Sequence, residues 1–263
     1  MSIATKIIKK LAQEKENKVS IIVPIYNKVD FTLQMLGFLF NNTDYPYEII
    51  IIDNNSTDNS EKLIKDFFKW TKPEGVSGLY VRNKENKGFS IANNQGARLA
   101  TGKYLCFLNN DTLPMANWLS ELVKCHETHK SSVTGAKLII PGQGVIQHAG
   151  IEFDSFQYPY HKYFGRPEDY KEASEDKECS AVTGACLLVN KKEFIGLGGF
   201  NEDYWLGWED IDLCNTYKQL NKKIWYASQA KLYHYESMSE GRYSKETDNW
   251  YYYSKKWIFK VKV

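Results

Sequence analysis

SIIVPIYNKVDFTLQMLGFLFNNTDYPYEIIIIDNNS, residues 20–56, decides the fold. Ser20 to Tyr26 is a near-continuous apolar run with β-branched members, the pattern of a strand covered on both faces. A helical pattern follows over about Asp30 to Phe40. Glu48 to Ile52 is a second run of the same kind, stopping at Asp53, Asn54 and Asn55, with Ser56 expected to cap a helix to about Trp70. The unit then repeats. Leu79 to Arg82 is a short third strand, SIANNQGARLA after Gly88 is a helix, and Tyr104 to Leu108 is a fourth strand running into Asn109, Asn110 and Asp111. Strand and helix in alternation predict an α/β protein with a mostly parallel central sheet flanked by helices. Ligands are then expected beyond the carboxyl ends of the strands.

Those ends carry Asp53 and Asp111. A dinucleotide fold would place GxGxxG after the first strand, whereas Pro24-Ile25-Tyr26-Asn27 stands there, and no GxxxxGK[ST] occurs. Nucleotide binding, if present, does not use a glycine-rich phosphate cradle. Further on, residues 142–177 are polar and aromatic without clear period, an excursion of a length that is usually functional. Strand pattern returns at Ala181 to Val189. Trp208 to Leu220 suits a helix with acids in its first turn, and Ile224 to Tyr235, carrying His234, is a last strand.

Composition narrows the classes. The 263 residues are 43% hydrophobic and 25% charged, which excludes a disordered or fibrous chain. Residues 1–18 hold five lysines and two glutamates, and residues 250–263 four lysines and no acid, so of the overall +2 the residues between carry −5. A basic body for nucleic acid is absent. No apolar run approaches the roughly 20 residues of a membrane-spanning helix, and the first 18 residues do not read as a secretory signal, so a cytoplasmic location is expected. Cys106, Cys125, Cys179, Cys186 and Cys214 include no CxxC pair and read as buried thiols of a reducing compartment, rather than as a disulfide frame or a zinc site.

VSIIVPIYN, IIIIDNNSTDNS, NKGFSIANNQGARLATGKYLCFLNNDT, VTGACLLVNKKEFIGLGGFNEDYWLGWEDIDLC and KLYHYESMS, in that order, resemble the family 2 glycosyltransferases of GT-A fold. IQHAGIEF, residues 146–153, further resembles the branch that builds bacterial O-antigen and capsule, including rhamnosyltransferase-like members. The resemblance covers about residues 19–239. It implies a catalytic domain with a nucleotide-binding half, 19–112, and an acceptor-side half, 113–239, between a basic segment, 1–18, and an aromatic and basic one, 240–263.

The resemblance implies an inverting, metal-dependent transfer of a hexose from a nucleotide-diphosphate sugar, UDP-sugar before dTDP-rhamnose, to a glycan hydroxyl. Asp53 then matches the nucleoside-binding acid, with Pro24, Tyr26 and Asn27 walling the base; the competing reading of Asp53 is a cap of the following turn. Asn109-Asn110-Asp111 stands at the DxD motif with Asn in the first place. Asp111 is left as the ligand of Mn²⁺ or Mg²⁺, and Asn110 as a nucleotide contact. His234 matches a histidine that joins the metal in several relatives, against a plain structural role. Asp210 matches the catalytic base, with Glu209 supporting it and Trp208 lining the pocket. Lys87 and Gly88 are expected near the donor, and Gly184 is expected to let backbone approach the donor sugar. His148 could reach the cleft.

A helical 250–263 would gather Trp250, Tyr253, Trp257, Ile258 and Val261 on one side. That stripe fits either peripheral contact with a membrane carrying a lipid-linked acceptor, at its inner face, or packing on the domain. Two other classes stay in view. A catalytically silent glycan-binding relative would keep the fold, and a sugar nucleotidyltransferase would be expected to show glycines and basic residues where PIYN stands.

Overall fold

The computed structural model describes residues 17–235 and 246–259. Four strands and three helices build the first half: β1 (Val19–Ile25), α1 (Val29–Asn42), β2 (Tyr47–Asp53), α2 (Ser60–Thr71), β3 (Ser77–Arg82), α3 (Gly88–Leu99) and β4 (Tyr104–Leu108). β1 pairs in parallel with β2 on one side and β4 on the other, and β3 extends the sheet beyond β2. The apolar runs are continuous because both faces are covered. Ile21 and Val23 join a core with Met35, Leu36 and Ile49, whereas Ile22 joins the opposite core with Ala92, Phe107 and Ile52.

The second half completes the same sheet. β5 (Thr112–Pro114), α4 (Trp118–Thr128), β6 (Val133–Ile140), β7 (Val145–His148), β8 (Ile151–Phe153), β9 (Pro159–His161), β10 (Lys177–Glu178), β11 (Cys186–Asn190), α5 (Lys191–Gly196), α6 (Glu209–Gln219) and β12 (Ile224–His234) follow, then α7 (Glu246–Tyr253) and a π-helical turn, Ser254–Ile258. The strand order is β10-β12-β6-β11-β4-β1-β2-β3, with β5 on β12 and β7 on β6. β11 is antiparallel between β4 and β6, and β12 is parallel to β6. One sheet therefore spans both expected halves. The connection from β1 leads to β2 while β4 lies on β1's other side, and a crevice opens at such a reversal.

Three local expectations change. The residues after Ser56 do not begin a helix. Ser56 Oγ instead accepts the Asn27 N–H at 2.8 Å, and α2 starts at Ser60, whose N–H is held by Asp58. The 142–177 excursion contains β7, β8 and β9, each three or four residues long and too short to show a period. The strand expected from Ala181 begins only at Cys186.

At the end of the sheet away from the crevice, buried Glu48 ties β1, β2 and the turn before β4 together. It accepts from Ser20 Oγ at 2.6 Å, Thr101 N at 2.6 Å and Lys18 Nζ at 3.0 Å. Burial alone would raise this carboxyl, but the hydrogen bonds outweigh it and hold the pKa down at about 2. A folded-state value below the unfolded one means stability that is full above the unfolded pKa and lost as pH falls through the folded one. Acid titration is therefore expected to remove roughly 2–3 kcal/mol through this group between about pH 4.5 and pH 2. Chemical denaturation of Glu48→Gln at a series of pH values should show that slope flattened; an unchanged slope would assign the acid sensitivity elsewhere.

Candidate active site

The crevice between β1 and β4 holds two adjoining cavities. The first, about 830 Å³, lies between Pro24 and Tyr26 at the end of β1, Asn109 to Asp111 after β4, and Trp205 and Leu206 across the opening. The second, about 970 Å³, is bounded by Thr183, Gly184, Trp208, Glu209 and Asp210, with Tyr158 and His161 from the excursion. Phe89, Asn109 and Leu206 belong to both walls.

Of the expected nucleotide contacts, Pro24, Tyr26, Gly88 and Asn110 line the first cavity, and Asp53, Asn27 and Lys87 do not. Asp53 is fully buried. Its Oδ1 accepts the Ser56 N–H at 2.8 Å, and its Oδ2 accepts from Tyr80 Oη with Arg82 Nη1 at 3.7 Å. The reason is parity. Ile49 and Ile51 face one core and Ile50 and Ile52 the other, so Asp53 turns to the first and Asn54 to the second, the side on which α3 and the cavity lie. Asn54 takes the place on the wall, held by Asn83 Nδ2 at 2.9 Å and donating to Gly88 O at 3.0 Å. Asn27, at φ +55, accepts from Thr57 N at 2.7 Å and so ties the turns after β1 and β2. Lys28, not Asn27, reaches the cavity. The Lys87 ammonium points outward, 3.9 Å from Glu85.

Gly88 earns its identity sterically. At φ +80, a Cβ there would lie 2.6 Å from the Trp205 carbonyl oxygen and as close to its indole, while the Phe89 N–H donates to that same carbonyl at 2.7 Å. Only a bare backbone lets residues 205–206 close over the start of α3. Gly184 is different, because a Cβ there would meet Asp210 and Phe89 at ordinary contact distances of 3.4 and 3.5 Å. Crowding by these neighbours does not demand glycine at 184. What residue 184 supplies is its N–H, donated to Asp210 Oδ2 at 2.7 Å.

Asp210 sits in the first turn of α6, behind Trp208 at φ +75. Its Oδ1 accepts the Ile211 N–H at 2.8 Å, so two backbone donors fix the carboxylate while each oxygen keeps a second lone-pair site. Glu209, one residue earlier, is buried on the wall of the same cavity. Trp208 packs on Trp250 at 5.0 Å, Tyr253 at 4.9 Å and Tyr158 at 5.7 Å between ring centroids.

Asp111 and His234 meet at the ends of β4 and β12. His234 Nε2 stands 3.2 Å from Asp111 Oδ1, both residues are buried, and neither atom makes a hydrogen bond among the described residues. His234 Nδ1 lies 2.6 Å from Gln147 Oε1. An amide oxygen only accepts, so Nδ1 is held as the donor, and Nε2 is the ring nitrogen turned to the carboxylate. A carboxylate oxygen and an imidazole nitrogen, buried side by side without a hydrogen bond, are a ligand pair that a cation would join. Ligand bonds of about 2.1 Å at right angles set neighbouring donor atoms about 3 Å apart, so the pair fits a small divalent ion. Gln147, which spacing along the chain does not reveal, serves as the outer partner that fixes the imidazole.

His148 does not reach either cavity. It is fully buried, burial and then the neighbouring imidazoles of His161 and His234 lower its pKa well below the usual value, and its Nδ1 lies 2.8 Å from Nδ1 of His161, which does line the second cavity.

The last acid of α6's first turns, Asp212, faces the other way and anchors the C-terminal residues. It accepts from Trp257 Nε1 at 2.6 Å and Lys256 Nζ at 2.9 Å, and Tyr204 Oη donates to it at 3.3 Å. Trp250, Trp257 and Ile258 pack on the core and Tyr253 is buried within it, so the aromatic stripe expected to meet either a membrane or the domain meets the domain. Val261, residues 1–16 and residues 236–239 lie outside the described residues.

Residues 20–195 match the family model described as glycosyl transferase family 2, two thirds of the chain. The chain belongs to glycosyl transferase family 2. Its relatives include the O-antigen biosynthesis protein RfbC of Myxococcus xanthus, 29% identical over 90% of this chain and 19% of RfbC. The minor teichoic acid biosynthesis protein GgaB of Bacillus subtilis is 25% identical over 89% of this chain and 25% of GgaB. The chain thus spans about a fifth to a quarter of these curated relatives. Among solved structures, GalNAc-T7 with UDP, GalNAc and Mn²⁺ superposes with a TM-score of 0.68 at 18% identity, over 82% of this chain and 43% of that one. The mannosyltransferase PcManGT of Pyrobaculum calidifontis with GDP-Man and Mn²⁺ gives 0.63 at 17%, over 87% and 59%. These likenesses carry the GT-A fold. In this family 2 chain, the family match stops at residue 195, before the α6 acids.

Proposed function

We propose that this chain is an inverting, metal-dependent glycosyltransferase, moving a hexose from a nucleotide-diphosphate sugar to a hydroxyl of a bacterial surface glycan. The observation that carries the reading is the meeting of the two cavities at Phe89, Asn109 and Leu206, with the Asp111–His234 pair on the β4 side and Asp210 on the other. Pro24, Tyr26 and Asn54 would hold base and ribose, and the diphosphate would reach Asp111 past Asn110. Asp111 and His234 would hold Mn²⁺ or Mg²⁺, which when bound offsets the charge growing on the leaving diphosphate. Asp210, oriented by the N–H groups of Gly184 and Ile211, takes the proton of an acceptor hydroxyl in the second cavity as that oxygen attacks the anomeric carbon.

The relatives named for O-antigen and teichoic acid synthesis support a cell-surface glycan as product, and the two structural neighbours with nucleotide and Mn²⁺ support the donor class. The donor is read as a UDP-sugar before dTDP-rhamnose. No helix among the described residues is long and apolar enough to cross a membrane. Exposed Tyr251 and Phe259, with the Lys255 ammonium over the Tyr251 ring at 4.3 Å, support peripheral contact with a lipid-linked acceptor.

Thermal-shift measurement across a panel of nucleotide sugars tests the donor side, because a ligand that binds the folded state stabilises it by mass action. One nucleotide family is expected to raise Tm with Mn²⁺ or Mg²⁺ and lose the effect in EDTA. If no nucleotide sugar shifts Tm in either ion, the donor reading fails.

A further inference from the structure

A second cluster of cation-binding groups lies outside the two cavities of the cleft. α4 ends at Thr128, and Cys125 and His129, four residues apart, share the face of its last turn. Asp176 arrives from the segment between Ala173 and β10, 51 residues along the chain from Cys125. One ligand atom of each, thiol sulfur, imidazole nitrogen and carboxylate oxygen, lies within 4.8 Å of the other two.

The geometry points to a binding site for a borderline-soft divalent cation, Zn²⁺ by chemistry, formed by Cys125, His129 and Asp176. Each side chain is already oriented. The His129 ring stacks on Trp225 at 3.6 Å and 7°, which fixes the direction of its Nε2. Asp176 Oδ1 accepts from Ser228 N at 2.8 Å and Ser228 Oγ at 3.0 Å, leaving Oδ2 to face the imidazole. A ligating carboxylate is typically braced by such outer contacts. His129 Nε2 and Asp176 Oδ2 stand 3.6 Å apart, too far for a hydrogen bond. It is close to the separation of two ligands on a tetrahedral ion with bonds of about 2.0–2.2 Å.

The chemistry of the donor set selects the ion. Thiolate and imidazole favour Zn²⁺ over Mg²⁺ or Mn²⁺, whose preferred ligands are oxygens. The three ligands leave a fourth position, which water can fill because His129 and Asp176 are 28% and 30% exposed. Carbonyls at the end of α4 add a negative field that favours a cation there. Without an ion, Cys125 is a buried thiol, raised well above its usual pKa by burial and by the Asp176 charge. On binding, the thiol proton leaves to solvent and sulfur bonds the metal. Cys125 has no cysteine partner in CxxC spacing, and Asp176 is distant in sequence, which is why the cysteine pattern alone gives no zinc site. Ser228 and His234 lie six positions apart on β12, with the irregularity between Ala227 and Lys231 on the way, and none of the three ligands lines either cavity of the cleft. Its ion would fasten the end of the 142–178 excursion to α4.

The test uses the full chain stripped with a chelator and titrated with Co²⁺ and then Zn²⁺ alone. The expected result is a thiolate-to-Co²⁺ charge-transfer band that saturates at one equivalent, is displaced by Zn²⁺, persists in Asp111→Ala, and disappears in Cys125→Ser. Asp176→Asn, at a partly exposed position, is expected to fold and to weaken Co²⁺ binding by about 10-fold or more. It decides the matter if Cys125→Ser misfolds. Absence of the band in the stripped chain, or a band unchanged in both folded variants, overturns the site.

Discussion

Asp210→Asn is expected to lower the transfer rate by about 10²–10⁴-fold, the usual contribution of a positioned general base, while donor affinity stays within about twofold. The amide keeps the size of the carboxylate and can still accept the Gly184 N–H through its oxygen, so the cavity wall is preserved and what is lost is a site for the acceptor's proton. Donor affinity measured by calorimetry and turnover measured with a glycan acceptor separate the two effects. Full turnover in a folded Asp210→Asn protein would remove Asp210 from the role of base. Glu209→Gln at the same cavity serves as the comparison. Neighbouring residues on a helix point about 100° apart, so a much smaller loss is expected if Asp210 alone faces the acceptor.

The second large effect is expected at the cation pair. Asp111→Ala removes one of the two facing ligand atoms, leaves His234 Nε2 buried beside a void, and is expected to cut kcat/KM by about 10²–10³-fold, since a bound cation supplies several kcal/mol at the diphosphate. The same variant should lose the metal-dependent Tm rise with donor. Gln147→Leu is the finer probe. It leaves both ligands in place but removes the oxygen that fixes the His234 tautomer, and a loss of about 10–100-fold in Mn²⁺ affinity is expected. If Asp111→Ala binds donor in Mn²⁺ as the unchanged chain does, the cation is held elsewhere.

Much of this arrangement is legible along the chain because parallel strands buried on both faces leave unbroken apolar runs, and each run here stops at the crevice. β1, β2 and β4 follow from that, as does the position of Asp111, whereas Asp210, in the first turn of a helix, comes from the family resemblance alone. The harder residues fail for specific reasons. Asp53 and Asn54 differ by one position, and in a strand one position reverses the face, so the motif finds the place but not which side chain enters the cavity. Gln147 meets His234 across 87 residues, through a strand too short to announce itself. The basic and aromatic C-terminal residues read equally as a lipid-facing stripe or a packed one, because a stripe declares only that it needs cover; Asp212, buried under Trp257 and Lys256, is the partner that holds Trp250, Tyr253, Trp257 and Ile258 on the domain.

The same C-terminal helix has a hold on the cleft. Asn249 Nδ2 donates to the carbonyls of Leu206 at 2.8 Å and Gly207 at 3.1 Å, and Leu206 is a wall of both cavities. Occupancy of either cavity and docking of α7 therefore share one stretch of backbone, and by linkage whatever factor one changes the other by is returned in equal measure. Sugar choice then has a second address: substitutions at Asn249 or at the Asp212 anchor, neither of which lines a cavity, are expected to act on the cleft through residues 206–207.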